Sequence, residues 1–182
     1  MKTSPEMSSA WQAIADAHRA VDQPDATLRA LDEAIDALVG RTLLTVLTVY
    51  PDDDVVERSY SNMTARYPIG GFKRISDTPR LRSVLETGEV FIARTREDII
   101  ANYPDAETIF TTGCSSVLNV PVFWREQVVA TVNLLHTEGF YSPSHIPIVR
   151  SLAQAALPAF LECQPVQRQT MLYNTQQDYP HV

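Results

Sequence analysis

Two asparagines pose the chemical question. Asn119 stands in the apolar run Val117–Val122, and Asn133 in Val128–Leu135. A buried amide without hydrogen-bond partners destabilises a fold. Strands carrying such residues are expected to face a partly polar cavity, and a cavity of that kind suits a small molecule. Thr111 and Thr112 precede Gly113, and Ser115 and Ser116 follow Cys114. With Asn119 these hydroxyls could form a polar pocket floor, although short polar residues more often cap turns. Tyr60, Tyr67, Phe72 and Lys73 cluster around Gly70 and Gly71. Aromatic walls and one cation suit a planar or carboxylated ligand. The plainer alternative is a loop packed by its own aromatics, with Lys73 in solvent. The candidate ligand-binding residues are Tyr60, Tyr67, Phe72, Lys73, Thr112, Ser116, Asn119 and Asn133. Arg80 and Arg82, or Asp98 and Glu107, add charge nearby.

Cys114 could be a nucleophile, a redox thiol or a chromophore anchor, and each role needs a depressed thiol pKa. A small residue filling a loop-to-strand corner is the plainer reading. His136 closes the second apolar run. No second histidine or carboxylate is spaced to make a metal site with it, so it is expected to donate to a backbone carbonyl at the strand end. No metal site, Ser-His-Asp order, phosphate loop or dinucleotide fingerprint is present, and the sequence names no cofactor.

Composition bounds the rest. The 182 residues, 45% apolar, suffice for one domain with its own core. A net charge of −7 argues against nucleic-acid or anionic-membrane surfaces. Two cysteines make no disulfide framework. The N-terminus has no signal-peptide pattern, and no apolar run approaches the ~20 residues of a bilayer span. A cytoplasmic setting is expected.

The elements that must position these residues can be read from periodicity. Residues 8–20 are helical in pattern, followed by a break at Gln23-Pro24. Asp25 is a candidate N-cap for a helix ending at Gly40, with Leu28, Leu31, Ile35 and Leu38 as its stripe. Arg41–Tyr50 is a strand apolar on both faces, and Val55–Ser61 is its return. Residues 67–73 read as a loop. A short helix spans 78–86, a short strand 90–93, and two helical turns flank Pro104 within 95–112. The runs 113–122 and 127–136, joined by a short polar turn, form an antiparallel hairpin. Ser142 and Pro143 open a last helix that Pro158 should kink or end. The fold class is α+β, a central sheet covered on both faces. Three segments are expected: a helical arm over 1–24, a domain over 25–162 and a polar tail over 163–182.

The domain segment resembles a GAF domain, the small-molecule-sensing relative of the PAS domain. The resemblance rests on Gly40–Thr45, Tyr60–Asn62, Tyr67–Gly71, Ile92–Ala93, Ser115–Val122, Val129–Leu135 and Tyr141–Ser142. It implies an antiparallel sheet of five or six strands. The terminal helices would pack on one face, and loops on the other would enclose a pocket whose rim holds the Gly70-Gly71 loop. It also implies pairing through terminal helices. The family's tetrapyrrole attachment uses a cysteine beside a histidine, whereas Ser115 follows Cys114. A stand-alone sensor of this family would signal through a separate protein.

These observations favour a sensory or regulatory domain that binds a small molecule and signals through a partner protein. Two alternatives stay open. One is a redox enzyme similar to the free methionine-R-sulfoxide reductases, using Cys114. The other is a dimerisation module with a filled pocket. A homodimer is expected, because the stripe Trp11, Ile14 and Val21 is surplus to covering one sheet face.

Overall fold

The computed structural model describes residues 4–163. The expected tail, apart from Cys163, lies outside the described residues. Ser4 caps the first helix, α1 (Pro5–Ala17), by accepting the Met7 N–H, and Pro5 occupies its first turn. Helix α2 spans Asp25–Leu38. Gly40 ends it with φ 91°, and the Val39 and Gly40 N–H groups both donate to the Ile35 carbonyl. Leu28, Leu31 and Ile35 on its apolar stripe are fully buried.

Six strands make one sheet: β1 (Leu43–Tyr50), β2 (Val55–Ser61), β3 (Phe72–Arg74), β4 (Phe91–Ala93), β5 (Ser116–Trp124) and β6 (Gln127–His136). Their order across the sheet is β3-β2-β1-β6-β5-β4, and every pairing is antiparallel. The hairpin expected at 113–136 is β5–β6, closed by Arg125 and Glu126, with Arg125 at φ 56°. Residues 72–74, expected in a loop, form edge strand β3 by pairing with Val55–Glu57. Three residues carry too little period to mark a strand; the pairing creates it.

Side-chain alternation divides the sheet into two faces. Leu44, Val46, Leu118, Val120, Val122, Val132 and Leu134 point into the larger core, shared with α1, α2, α6 (Ile146–Ala155) and α7 (Leu157–Cys163). The last helix is not continuous. A 3-10 turn at Pro143–His145 precedes α6, and a 60° bend at Ala156 separates α6 from α7. Pro158 falls in the first turn of α7, where a missing N–H costs nothing; carried into an unbroken helix it would clash with the preceding turn. The other sheet face carries α3 (Pro79–Thr87), α4 (Arg96–Asn102) and α5 (Ala106–Phe110).

Helix α1 folds back on its own domain. Ile14 is fully buried in the larger core, and the Trp11 indole N–H donates to Ser151 Oγ at 3.0 Å. Ile14 is therefore not surplus, which removes the argument that pointed to a dimer seam. Of that stripe only Trp11 (40% exposed) and Val21 remain open to solvent. No single helix among the described residues is long and apolar enough to cross a bilayer.

Candidate functional site

The face bearing α3–α5 holds a cavity of about 730 Å³. Its floor includes three directly opposed residues on neighbouring strands, Thr45 on β1, Asn133 on β6 and Asn119 on β5, with Phe91 on β4 next in the row. Both asparagines are buried. Asn119 Oδ1 accepts from the Tyr103 hydroxyl at 2.7 Å and from an Arg80 guanidinium N–H. Arginine has no acceptor, so the oxygen of Asn119 must face it and the amide nitrogen must face away. That nitrogen donates to Asn133 Oδ1 at 2.7 Å, and Asn133 Nδ2 reaches the Thr45 and Thr131 carbonyls at 3.4 Å. The amides form a directed chain from the cavity into the sheet centre.

The walls come from separate segments. Arg80 on α3 lies over the Tyr103 ring at 4.1 Å and the Phe91 ring at 5.3 Å. Arg58 on β2 lies over the Tyr67 ring at 5.1 Å and donates to the Pro68 carbonyl at 3.0 Å. Lys73 on β3 pairs with Asp105 at 3.0 Å. Leu43, Ile109, Val117 and Leu135 supply an apolar side. Four polar atoms belonging to residues of this lining are buried without a hydrogen-bond partner: Arg58 Nε, Tyr67 Oη, Arg80 Nε and Asp105 Oδ1. Burial, with the Asp105 charge next in size, pushes the Tyr67 hydroxyl up to about 12. Burial lowers the Arg58 pKa from its ordinary value. No group of three or more metal-ligating side chains occurs among the described residues.

The family model for the GAF domain matches residues 20–160. The chain belongs to the GAF domain family. Solved structures carry the same fold at low identity. The GAF domain of an Acinetobacter phosphoenolpyruvate-protein phosphotransferase is 11% identical with a TM-score of 0.69, covering 91% of this chain and 99% of that one. A GAF domain/HD domain protein from Geobacter sulfurreducens is 16% identical with a TM-score of 0.63, covering 87% and 97%. The phycocyanobilin-bound GAF domain of a cyanobacterial phytochrome is 17% identical with a TM-score of 0.64, covering 89% and 100%. None of the curated proteins compared matches the chain.

In this GAF domain Tyr67, Phe72, Lys73, Asn119 and Asn133 line the cavity. Three other expected residues do not, and each has a physical reason. Tyr60 faces the helices. A bulge leaves Ser59 unpaired between Leu47↔Arg58 and Val46↔Tyr60, so Tyr60 turns to the face of Val46. Its hydroxyl donates to Asp32 Oδ2 at 3.0 Å, beside the two-pronged Arg41–Asp32 pair at 2.7 and 3.0 Å. Ser116 is three residues from Asn119, so alternation puts it on the opposite face, where its Oγ accepts the Tyr141 N–H at 3.3 Å. Thr112 closes the turn after α5 by donating to the Ile109 carbonyl at 2.6 Å.

Among the charges expected nearby, Arg80 lines the cavity and Arg82 instead donates to the Ser76 carbonyl. Asp98 caps α4 through the Arg94 and Thr95 N–H groups, and Glu107 is exposed. Cys114 is 1% exposed in a small core with Leu43, Tyr67 and Ile109, and burial pushes its thiol up. Cys163 is buried in the larger core on the opposite face. His136 differs from expectation: its Nδ1 accepts the Thr137 N–H at 2.8 Å, and the ring stacks on Phe140 at 3.6 Å. Arg58, Tyr103 and Asp105 were not foreseen. Arg58 had a signal: it lies two residues after Val56 on the same strand face.

Proposed function

We propose that this GAF domain is a sensory module that binds a small molecule in the cavity between the sheet and α3–α5. It signals to a separate protein through the helical face of α1, α2, α6 and α7. The observation that carries the reading is the group of four partnerless polar atoms on residues that line one cavity. A protein interior tolerates few such atoms, and several together suit a site whose partner is a ligand. The directed amide chain supports the signalling half, because a ligand that engages Arg80 or Tyr103 also loads β5, β6 and β1. The cytoplasmic setting and the pairing of two copies belong to the same proposal, with light scattering as the check on pairing. The redox reading finds no supporting geometry: Cys114 and Cys163 lie in separate cores.

Native mass spectrometry of protein purified from its own host tests the reading. The expected result is an added mass of a few hundred daltons that denaturation releases, in line with a cavity of this size. Protein that carries no added mass, and whose thermal midpoint no host metabolite fraction raises, would refute it.

A further inference from the structure

The charge balance around the cavity is opposite to that of the chain. The chain carries −7, yet the cavity lining holds Arg58, Lys73, Arg74 and Arg80 against Asp77 and Asp105. Lys73 and Asp105 neutralise each other. Arg58 and Arg80 have no carboxylate within ion-pair distance among the described residues, and the Asp105 charge, already paired with Lys73, acts on Arg58 only from beyond it. Arg58 has only a backbone carbonyl and an aromatic face, and Arg80 only a side-chain amide and two aromatic faces. Each retains a buried, unpartnered Nε–H. A guanidinium cannot shed its proton to escape burial, so a half-buried one without a counter-ion calls for an anion. The Tyr67 ring lies under Arg58, and its hydroxyl, on a residue 8% exposed, is a third donor without an acceptor. On the remaining side, Leu43, Ile109, Val117 and Leu135 offer only hydrocarbon.

We propose that the cavity selects a small organic anion: a carboxylate or phosphate head bound by Arg58, Arg80 and the Tyr67 hydroxyl, carrying an apolar body against Leu43, Ile109, Val117 and Leu135. This rests on the reading of the cavity as a small-molecule site and narrows it to one chemistry. Guanidinium groups bind carboxylate and phosphate through paired N–H donors, and both heads supply the acceptors that the two Nε–H groups and the hydroxyl lack. An extended neutral ligand would leave both cations without a direct ion-pair partner. Asp105 Oδ1, a buried partnerless acceptor on a lining residue, lies beside Lys73 and favours a ligand that also carries an N–H or O–H away from its head.

The test uses the full chain and matched probes. Octanoate, hydrocinnamate, indole-acetate and phenyl phosphate are each titrated against the neutral partner of the same skeleton: octanamide, hydrocinnamamide, indole-acetamide and phenol. Binding is followed by calorimetry and by the side-chain amide NMR signals of Asn119 and Asn133. The expected result is binding of anionic probes at least about tenfold tighter than their neutral partners, the scale of a charge-assisted hydrogen bond, with both amide signals shifted. Arg58→Met and Arg80→Met should each cut the anion preference about tenfold, and Arg58→Lys and Arg80→Lys should restore part of it. Circular dichroism confirms that each variant is folded, and the lysine pair covers a methionine variant that is not. A carboxylate probe alone or phenyl phosphate alone binding well identifies the head. Neutral partners binding as tightly as the anions, or methionine variants that keep the preference, overturn the anion proposal and leave the small-molecule reading standing. Failure of every probe, charged and neutral, to bind or to shift the two amide signals overturns the anion proposal, and the native mass measurement then decides the small-molecule reading separately.

Discussion

Replacing Asn119 with leucine tests the site at its structural centre. Leucine has the branching and heavy-atom count of asparagine, so the change removes polarity while keeping the side chain's shape at a modest gain in volume. It takes an acceptor from Tyr103 and Arg80 and a donor from Asn133. Asn133 Oδ1 is left in a buried setting with no partner, and the Tyr103 hydroxyl loses the oxygen to which it donates. Each orphaned group costs about 1–3 kcal/mol. Arg80 can turn toward the cavity and adds little. Extra apolar burial offsets about 1 kcal/mol. The expected net loss is about 2–4 kcal/mol, a large part of the ~5–15 kcal/mol typical of a domain. In a chain of this length that lowers Tm by roughly 5–15 °C. Urea unfolding with an unchanged m-value is the assay. Asn133→Leu should cost a similar amount, and the double variant should cost about 1–2 kcal/mol less than the sum, because it removes both halves of the shared bond. A loss below about 1 kcal/mol for Asn119→Leu, or strict additivity, would mean that water already serves these groups and that the amide chain is not closed.

Glu57 is 4% exposed on the helix side of β2, and burial pushes its carboxyl up to about 7 from an ordinary value near 4.5. The Tyr50 hydroxyl lies 3.4 Å from Glu57 Oε2 and 3.1 Å from the Cys163 carbonyl, and its donation to the carboxylate offsets only part of the burial effect. Between pH 4.5 and 7 the folded state then binds more protons than the unfolded chain, so stability should fall by up to about 3 kcal/mol as pH rises through that window. Glu57→Gln should flatten this part of the stability profile in urea titrations. Ile14→Ala should cost about 2–5 kcal/mol, because α1 contributes a fully buried side chain to the core; a loss of a few tenths would restore the picture of a detached arm. Cys114 should resist thiol reagents at about pH 8 until the protein unfolds, because its thiol is buried and its pKa raised. Rapid labelling in native conditions would revive a reactive role.

The sequence by itself determined what depends on local period and local chemistry. Alternation within each strand separates Asn119 from Val120, and Asn133 from Val132 and Leu134; the pairing of Asn119 with Asn133 then puts the two amides on one face. Three- and four-residue spacing located α2, and the Pro143 and Pro158 constraints marked where the last helical segment opens and where it bends. Tertiary structure decided which polar residues meet. Arg58, Lys73, Arg80 and the Tyr103–Asp105 turn come from four separate segments, and no period links them. A side chain in a loop or a short helix points where distant packing sends it. The bulge at Ser59 makes the same point: one unpaired residue turned Tyr60 from the cavity to Asp32, and only its pairing with β1 reveals the extra residue. Helix α1 likewise has an apolar stripe whose partner the sequence could not name. Whether it covers its own core or another copy depends on the path of the chain between Ala17 and Asp25, and that path brings it back over α2 and α6.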